Sequence, residues 1–597
     1  MIENYLSMLE SHGLIGLAQQ LPEYEYLFRH ALVQDAAYES LLKSDRRALH
    51  ENVAETIELL YPSRLEEFAA VLAYHYEKAE NENRALKYTL QAADLAARSY
   101  ANQEAANHYD HAIGLVLAGS SGYTNEQTQD LYLKYGRTLE LSGQYTLARD
   151  NYRELEQLSQ QRGNRQMELA ALMALATIYA TPSPLYNLEV ARNLCQRGLE
   201  IARALADLES ESQILWLLML ASYFNNEVAA SVKYGEASLA IARSLNNRER
   251  IAFVLNDIVR SYGSSGQPQK AFAAGEEARA LWIEFDNQPM LADNLSTHAE
   301  GLFIYGRPQE AFEYALQSFE ISEKINNTWG KSYSLLVQAY LHWQFGEVRE
   351  TIQALETIFE WNKVQSVPFA YNAGLFLLGE IYTEIGLLEK AVKLVDNFRP
   401  TFETLAISFK GPVLAFFAYY AAKTGQFSEA ENYLKQANGI VDITNFNTYA
   451  PFYLHATIYF LGLHKQTYSE TAALLAKSVQ QYEQSGLIVP LPLMHYWRGA
   501  LLEAAGDLDE ARKALTRSLE LAGPMQARQA LWMAQAALSR IARKSGDHAT
   551  ADRYQCSAKE VIEYILEHSP ADLAGSFRVL PEVSEVLAYS EAGKRQI

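Results

Sequence analysis

Residues Trp497–Ala522, WRGALLEAAGDLDEARKALTRSLELA, decide the fold. Apolar residues recur at helical spacing on both sides of Gly506, so the stretch reads as two helices joined at a glycine. A helix ends cleanly in the left-handed conformation, which glycine adopts without a Cβ clash, and Gly506 is therefore the turn. Ala511 falls in the first turn of the second helix, and Gly499 lies seven residues before the glycine. Two antiparallel helices cross at those positions, where small side chains permit close approach.

The same spacing recurs outward along most of the chain. The pairs are Gly143/Ala148, Gly266/Ala271, Gly306/Ala311, Gly386/Ala391, Gly425/Ala430, Gly506/Ala511 and Gly546/Ala551, with Gly346 in register and Thr351 in the alanine place. The small residue seven before the glycine is Gly136, Ala299, Ala339, Gly379, Ala418, Gly499 or Ser539. From Gly266 to Gly425 the steps are 40, 40, 40 and 39 residues, and the longer gaps of 81 and 123 are two and three such units. Pro268 and Pro308 stand at the start of second helices, where a missing N–H costs nothing. Degenerate units at Asn225–Ala230, Tyr186–Ala191 and Lys465–Ala473 fill the register, giving about eleven units over residues 125–565. One hairpin cannot bury both its faces, and stacking makes a continuous core. The expected fold class is all-α, a solenoid of helical hairpins with a period near 40 residues.

Composition agrees with an extended array. Of 597 residues, 49 % are hydrophobic, and glycine (31) and proline (16) are sparse, which excludes general disorder. The net charge of −21 argues against broad binding to nucleic acid or anionic membrane, both of which are held by basic surfaces. Cys195 and Cys556 show neither metal nor redox spacing, so a cytoplasmic location is expected. The strongest apolar run, Val413–Ala422, is half of a bilayer span and reads as a buried helix.

Small–x6–Gly–x4–Ala is similar to the tetratricopeptide (TPR) motif, and the period near 40 resembles the longer-helix units of MalT-like bacterial regulators. The first 62 residues depart from the repeat. A helix ending at Gly13, a short β-wing and two helices within Tyr26–Leu60, the second with Ser44 as its N-cap, resemble the winged-helix element of STAND-type signalling ATPases, including those associated with nucleotide cyclases or LuxR-type regulators. Leu72–Ile113 is similar to the helical bridge of those proteins, and Ser576–Leu587 to their C-terminal ending. The expected domains are 1–62, a winged-helix-like remnant; 63–120, a helical bridge; 121–568, the TPR-like superhelix; and 569–597, a C-terminal tail. The resemblance implies the C-terminal half of a STAND protein whose ATPase is absent or encoded separately.

Candidate chemistry is thin. Gly330-Lys331-Ser332 has Ile325 where a phosphate-binding loop needs its first glycine, and it lies within a repeat helix. By the resemblance His30 would sense the β-phosphate of a nucleotide supplied by an ATPase partner; the plainer reading is a histidine that caps or packs the helix. His108 and His111 stand one helical turn apart without a third metal ligand, His50-Glu51 begins no HExxH, and no GxSxG elbow occurs. Residues 1–60 hold ten acidic and four basic residues, which disfavours DNA binding. Most of the 38 tyrosines, Tyr179, Tyr262, Tyr305, Tyr382 and Tyr420 among them, are expected to pack between helices, with a minority on inner helices free to anchor a peptide.

The expectation is therefore a non-enzymatic scaffold for protein–protein interaction in bacterial signal transduction or transcriptional regulation. No cofactor, metal, nucleic acid or membrane is expected. A protein or peptide partner of basic character would lie in a concave groove lined by first helices such as Ala252–Tyr262, Met290–Tyr305 and Lys331–Phe345. The alternative is the ligand-sensing arm of a split STAND ATPase or nucleotide cyclase.

Overall fold

The computed structural model describes residues 2–19, 24–99, 101–118, 122–181, 183–364, 367–398, 407–440 and 450–593. Among them are thirty helices and one two-stranded sheet. None of these helices is long and apolar enough to cross a membrane. The chain forms two compact units, Met1–Ala171 and Leu172–Ile597.

The first unit opens with α1 (Ile2–Ser11), and the chain turns at Gly13 with φ +70°. Strands β1 (Ile15–Gln19) and β2 (Glu25–Phe28) pair antiparallel, Ile15 opposite Phe28. Then come α2 (Ala31–Glu39) and α3 (Lys43–Leu60). Extended Leu42, and not Ser44, precedes the first turn of α3; Ser44 lies inside the helix with its hydroxyl on Asp45. Helices α4 (Ala69–Lys78), α5 (Glu82–Arg98), α6 (Asn102–Leu117), α7 (Asn125–Leu141) and α8 (Tyr145–Gln161) follow, and α9 (Arg165–Ala180) contains the division between the units. The core includes Leu86, Ala93, Tyr109, Leu131, Tyr132 and Leu155. A buried phenol needs a partner for its hydroxyl. Accordingly Tyr109 donates to Asp94 at 2.6 Å, Tyr132 to Glu154 at 3.1 Å and Tyr152 to Glu140 at 2.7 Å.

Between α3 and α4, His50 Nδ1 lies 2.8 Å from His75 Nδ1, and His50 Nε2 lies 3.1 Å from the Tyr38 hydroxyl. One proton serves the imidazole pair, because a second would set two donors face to face. Burial lowers both rings below the ordinary 6.5, aided at His50 by Lys78 and at His75 by His50. Below pH 6.5 the unfolded chain therefore binds more protons, and the pair's stabilisation, complete above that pH, is lost on acidification. We expect amide-exchange protection in α3 and α4, taken relative to the unstructured rate at each pH, to fall between about pH 7 and pH 5, and His75→Gln to flatten that dependence; an unchanged slope in the variant would refute the assignment.

The second unit continues with α10 (Leu188–Ala204), α11 (Leu208–Phe224), α12 (Val228–Ser244), α13 (Arg248–Ser264), α14 (Pro268–Glu284), α15 (Gln288–Ile304), α16 (Pro308–Lys324), α17 (Thr328–Gln344), α18 (Val348–Val364), α19 (Pro368–Glu384) and α20 (Leu388–Phe398). It ends with α21 (Ile407–Lys423), α22 (Phe427–Asn438), α23 (Ala450–Lys465), α24 (Tyr468–Ser485), α25 (Leu491–Ala505), α26 (Leu508–Met525), α27 (Arg528–Lys544), α28 (His548–Glu567), α29 (Ala571–Arg578) and α30 (Pro581–Gly593). The apolar run Val413–Ala422 lies in α21 and is buried throughout. Helices of one length recur because each repeat is punctuated twice. The glycine turn is one stop. The other comes where Ala206, Asn246, Asp286 and Asn326 take φ near +50° and the next residues, Asp207, Asn247, Asn287 and Asn327, cap the following helix through their side chains. The glycine register does not reveal this second stop, which is written in Ala206-Asp207 and in the Asn-Asn and Asp-Asn pairs that follow it.

From α10 to α20 and from α21 to α30 each helix packs on the next, and in addition the odd-numbered helices from α11 to α27 pack on one another. The layer curves with the odd helices inside. The curvature brings distant turns into contact. Ile488 and Val489 N–H both donate to the Ile304 carbonyl, at 3.2 and 3.3 Å, and Gln344 donates to the Met525 carbonyl at 3.2 Å. Arg349 N–H donates to the His568 carbonyl at 2.8 Å, its guanidinium donates to Ser569 O at 2.9 Å, and Lys390 lies 3.3 Å from Asp572. The turns at Gly306, Gly346 and Gly386 face this seam, where a Cβ would come within 2.8–2.9 Å of Ile488, Ile565 and Leu580.

Helices α29 and α30, read from sequence as a tail, belong to the seam. Their apolar residues Leu573, Phe577, Val583 and Val586 are buried in one core with Leu341, Ile358 and Ile381. Val583 is fully buried. Placing a carboxylate there costs about 3 kcal/mol. We expect Val583→Asp to lower amide-exchange protection in α30 about a hundredfold while α11–α14 keep theirs; unchanged protection would contradict the packing.

Candidate functional site

Closing the seam leaves a cavity of about 420 Å³ among the odd helices, within the range of ligand sites. It is lined by Tyr340, Trp343 and Gln344 of α17, Glu380 and Glu384 of α19, Tyr419 and Lys423 of α21, and Phe452, Tyr459 and Phe460 of α23. Leu493, Tyr496 and Trp497 of α25, Trp532, Met533 and Arg540 of α27, and Glu582 and Glu585 of α30 are also in the wall. Spacings of three and four within each helix put these residues on one stripe. The register explains their place. Six residues before successive turn glycines stand Arg260, Glu300, Tyr340, Glu380 and Tyr419, with Arg540 before Gly546. Each adjoins the residue that packs against the second helix and so points about 100° away from it around the helix, and the last four of the column reach the cavity.

The polar groups are held in place. Glu380 accepts from Trp343 Nε1 and from the Tyr453 hydroxyl, each at 2.8 Å. Burial pushes its carboxyl up to about 7, against the two donors and with help from neighbouring Glu384. Glu384 accepts from the Tyr419 hydroxyl and from Gln529 at 3.3 Å, and lies 3.3 Å from Lys423 Nζ. Arg540 pairs with Glu503 at 3.0 Å, and Lys544 joins it at 2.9 Å. Burial alone would raise Glu503, but the hydrogen bonds and charges of Arg540 and Lys544 outweigh it and hold the carboxylate lowered. Tyr459 and Tyr496 are hydrogen-bonded to each other, and burial raises both phenols. Lys423 Nζ stands 5.3 Å from the centre of the Phe460 ring, a cation–π contact. Outside the cavity the motif of an aromatic N–H or O–H on a buried carboxylate repeats. Trp216 Nε1 donates to Asp257 at 2.8 Å, and burial pushes that carboxyl up to about 6 against Arg260.

The turn glycines take positive φ, from +70° at Gly266 to +86° at Gly506, and Ala148, Ala271, Ala311, Ala391, Ala430, Ala511 and Ala551 are at most 4 % exposed. These residues build the frame and none lines the cavity. Of the first-helix segments expected along a groove, Met290–Tyr305 supplies Phe303, and Lys331–Phe345 supplies Tyr340, Trp343 and Gln344. Ala252–Tyr262 supplies no lining residue, and most of the wall comes from later helices that the sequence did not mark.

His30 stands exposed at the N-cap of α2 and makes no side-chain cap. His108 and His111 turn to separate carboxylates, Glu104 at 3.9 Å and Glu77 at 3.0 Å, and no cluster of three metal-ligating side chains occurs among the described residues. In Gly330-Lys331-Ser332, Gly330 N–H donates to the cap residue Asn327 and Lys331 reaches Asn326, so the segment works as a helix start. Cys195 is buried, which pushes its thiol up to about 12, and Cys556 is exposed; both are free. Tyr179, Tyr262 and Tyr420 are buried between helices.

No protein-family profile matches the chain, and no curated protein does. Among solved structures it is similar to the Rap conjugation gene regulator of plasmid pLS20 in complex with the Phr* peptide, at 14 % identity and TM-score 0.37 over 48 % of this chain and 77 % of that one. It is similar also to the Cut9–Hcn1 hetero-tetramer of APC/C, at 12 % identity and TM-score 0.42 over 84 % and 86 %. A Rap protein complexed with competence and sporulation factor matches at 11 % identity and TM-score 0.40 over 73 % and 99 %. The fold is that of an all-α protein of TPR-like helical hairpins, as its own turn and crossing geometry defines.

Proposed function

We propose that the chain is a non-enzymatic interaction module that holds a segment of a protein or peptide partner in the cavity between its odd helices. One observation carries this reading: a cavity of about 420 Å³ whose wall is mostly aromatic and apolar, crossed by fixed hydrogen-bonding groups. Aromatic side chains in desolvated pockets supply most of the affinity in protein recognition. The order of α1, the β-hairpin, α2 and α3 supports placing the module in bacterial signalling, beside a STAND-type nucleotide-binding domain. The free thiols support a cytoplasmic location.

The test compares capture from the native cytoplasm by the full chain and by Leu493→Ala/Tyr496→Ala. Loss of a central aromatic contact costs about 2 kcal/mol or more, so the variant is expected to bind the recovered partner about thirtyfold more weakly. A partner recovered equally by both, with the variant folded, would place binding elsewhere and end this reading.

A further inference from the structure

Charge in the cavity is unevenly paired. Lys423 lies on Glu384 and Arg540 on Glu503. Glu380 has only neutral donors, Trp343 and Tyr453, and among the described residues no lysine, arginine or histidine forms an ion pair with it. A carboxylate offers about four acceptor sites, so two donors leave room for a third. The lining carboxylates Glu380, Glu384, Glu582 and Glu585 outnumber the lining cations Lys423 and Arg540. The wall already holds one ammonium against an aromatic face, that of Lys423 over Phe460.

We propose that the cavity binds a primary alkylammonium group, R–CH₂–NH₃⁺, with Glu380 as its anionic partner and the aromatic lining around its alkyl stem. An ammonium brings three donors and one positive charge, which match the open acceptor sites and the excess of carboxylate. Its methylenes suit walls made by Trp343, Tyr419, Tyr496 and Trp497, because a cation and its stem both gain against aromatic faces. Arginine-type planar groups fit less well, since their five fixed donors require several acceptors in one plane. The inference rests on the preceding reading only for its source, which is either a lysine side chain of a bound segment or a free alkylamine.

Calorimetric titration of the full chain tests it with four probes. They are n-hexylammonium, n-hexanol, and an acetylated, amidated Leu-Lys-Leu tripeptide with its norleucine counterpart. Each ammonium probe is expected to bind about tenfold or more tightly than its neutral counterpart. Glu380→Gln, which keeps an acceptor for Trp343, should erase that preference. Lys423→Met removes the resident ammonium and frees Glu384, so it should tighten ammonium binding; unchanged or weaker binding counts against the assignment even if Glu380→Gln does not fold. Equal binding of charged and neutral probes, a preference that survives Glu380→Gln, or no binding at millimolar concentration overturns it. Tighter binding of the lysine tripeptide assigns the source to a partner's lysine. Tighter binding of hexylammonium keeps the ammonium site and sets aside the partner segment, whereas equal binding of the two tripeptides keeps the segment and rejects the ammonium.

Discussion

Glu380→Gln is expected to be more stable than the parent chain above pH 7, by about 3 kcal/mol at most. The carboxyl is pushed up to about 7 from an ordinary 4.5, mainly by burial and further by Glu384 one turn along α19, against the hydrogen bonds from Trp343 and Tyr453. A raised acid keeps its proton in the folded chain. Its contribution is complete below pH 4.5 and is lost as the pH rises through about 7. Glutamine fixes the neutral form, and Tyr453 can accept from its amide. All seven tryptophans, Trp216 to Trp532, lie in the second unit, so intrinsic fluorescence during denaturant unfolding reports that unit alone. The variant's midpoint should rise relative to the parent's between about pH 5 and pH 8. Asp257, pushed up to about 6, lowers both midpoints as the pH rises, and His298 and His495 of the same unit, lowered to about 4 by burial, raise both, so the difference between the two chains isolates Glu380. A variant no more stable than the parent at pH 8 would show that the buried carboxyl costs nothing. His50 and His75 lie in the first unit, which holds no tryptophan, so their titration does not enter this readout.

The second large effect concerns the seam. Gly346 and Gly506 both end first helices with positive φ, +72° and +86°. An L-residue in that conformation costs about 1 kcal/mol, which is the loss expected for Gly506→Ala, where no atom lies within 4 Å of the added carbon. At Gly346 the same methyl would lie 2.9 Å from Ile565 Cγ1 and 3.0 Å from Arg528 Cδ. Overpacking adds about 1–3 kcal/mol, for a total of roughly 2–4 kcal/mol at Gly346. Urea unfolding of the two variants checks the difference, and amide exchange in α27 and α28 should rise only in Gly346→Ala. Equal losses at both glycines would mean that the seam yields without cost. The comparison matters for function because the same seam encloses the cavity.

The register of turn glycines was legible in the sequence because each hairpin is local. Gly506 with Ala511, or Gly306 with Ala311, report a crossing between two adjacent helices, and the chemistry of that crossing repeats every 40 residues. The N-terminal order of helix, β-hairpin and two helices was legible for the same reason, although Leu42 and not Ser44 begins α3. The tyrosines were half legible. Their number marked them as packing residues, but their acceptors, such as Asp94 for Tyr109 or Glu384 for Tyr419, lie on neighbouring helices.

The sequence by itself determined the hairpin, its period and the chain's acidic balance. Only the tertiary structure decided where the hairpins meet. Arg349 against Ser569, or Gln344 against Met525, join residues some two hundred positions apart, and no spacing of motifs encodes that distance. It follows from a small rotation per repeat, summed over many repeats. That rotation fixes at once the closing seam, the place of α30 and the cavity around Glu380.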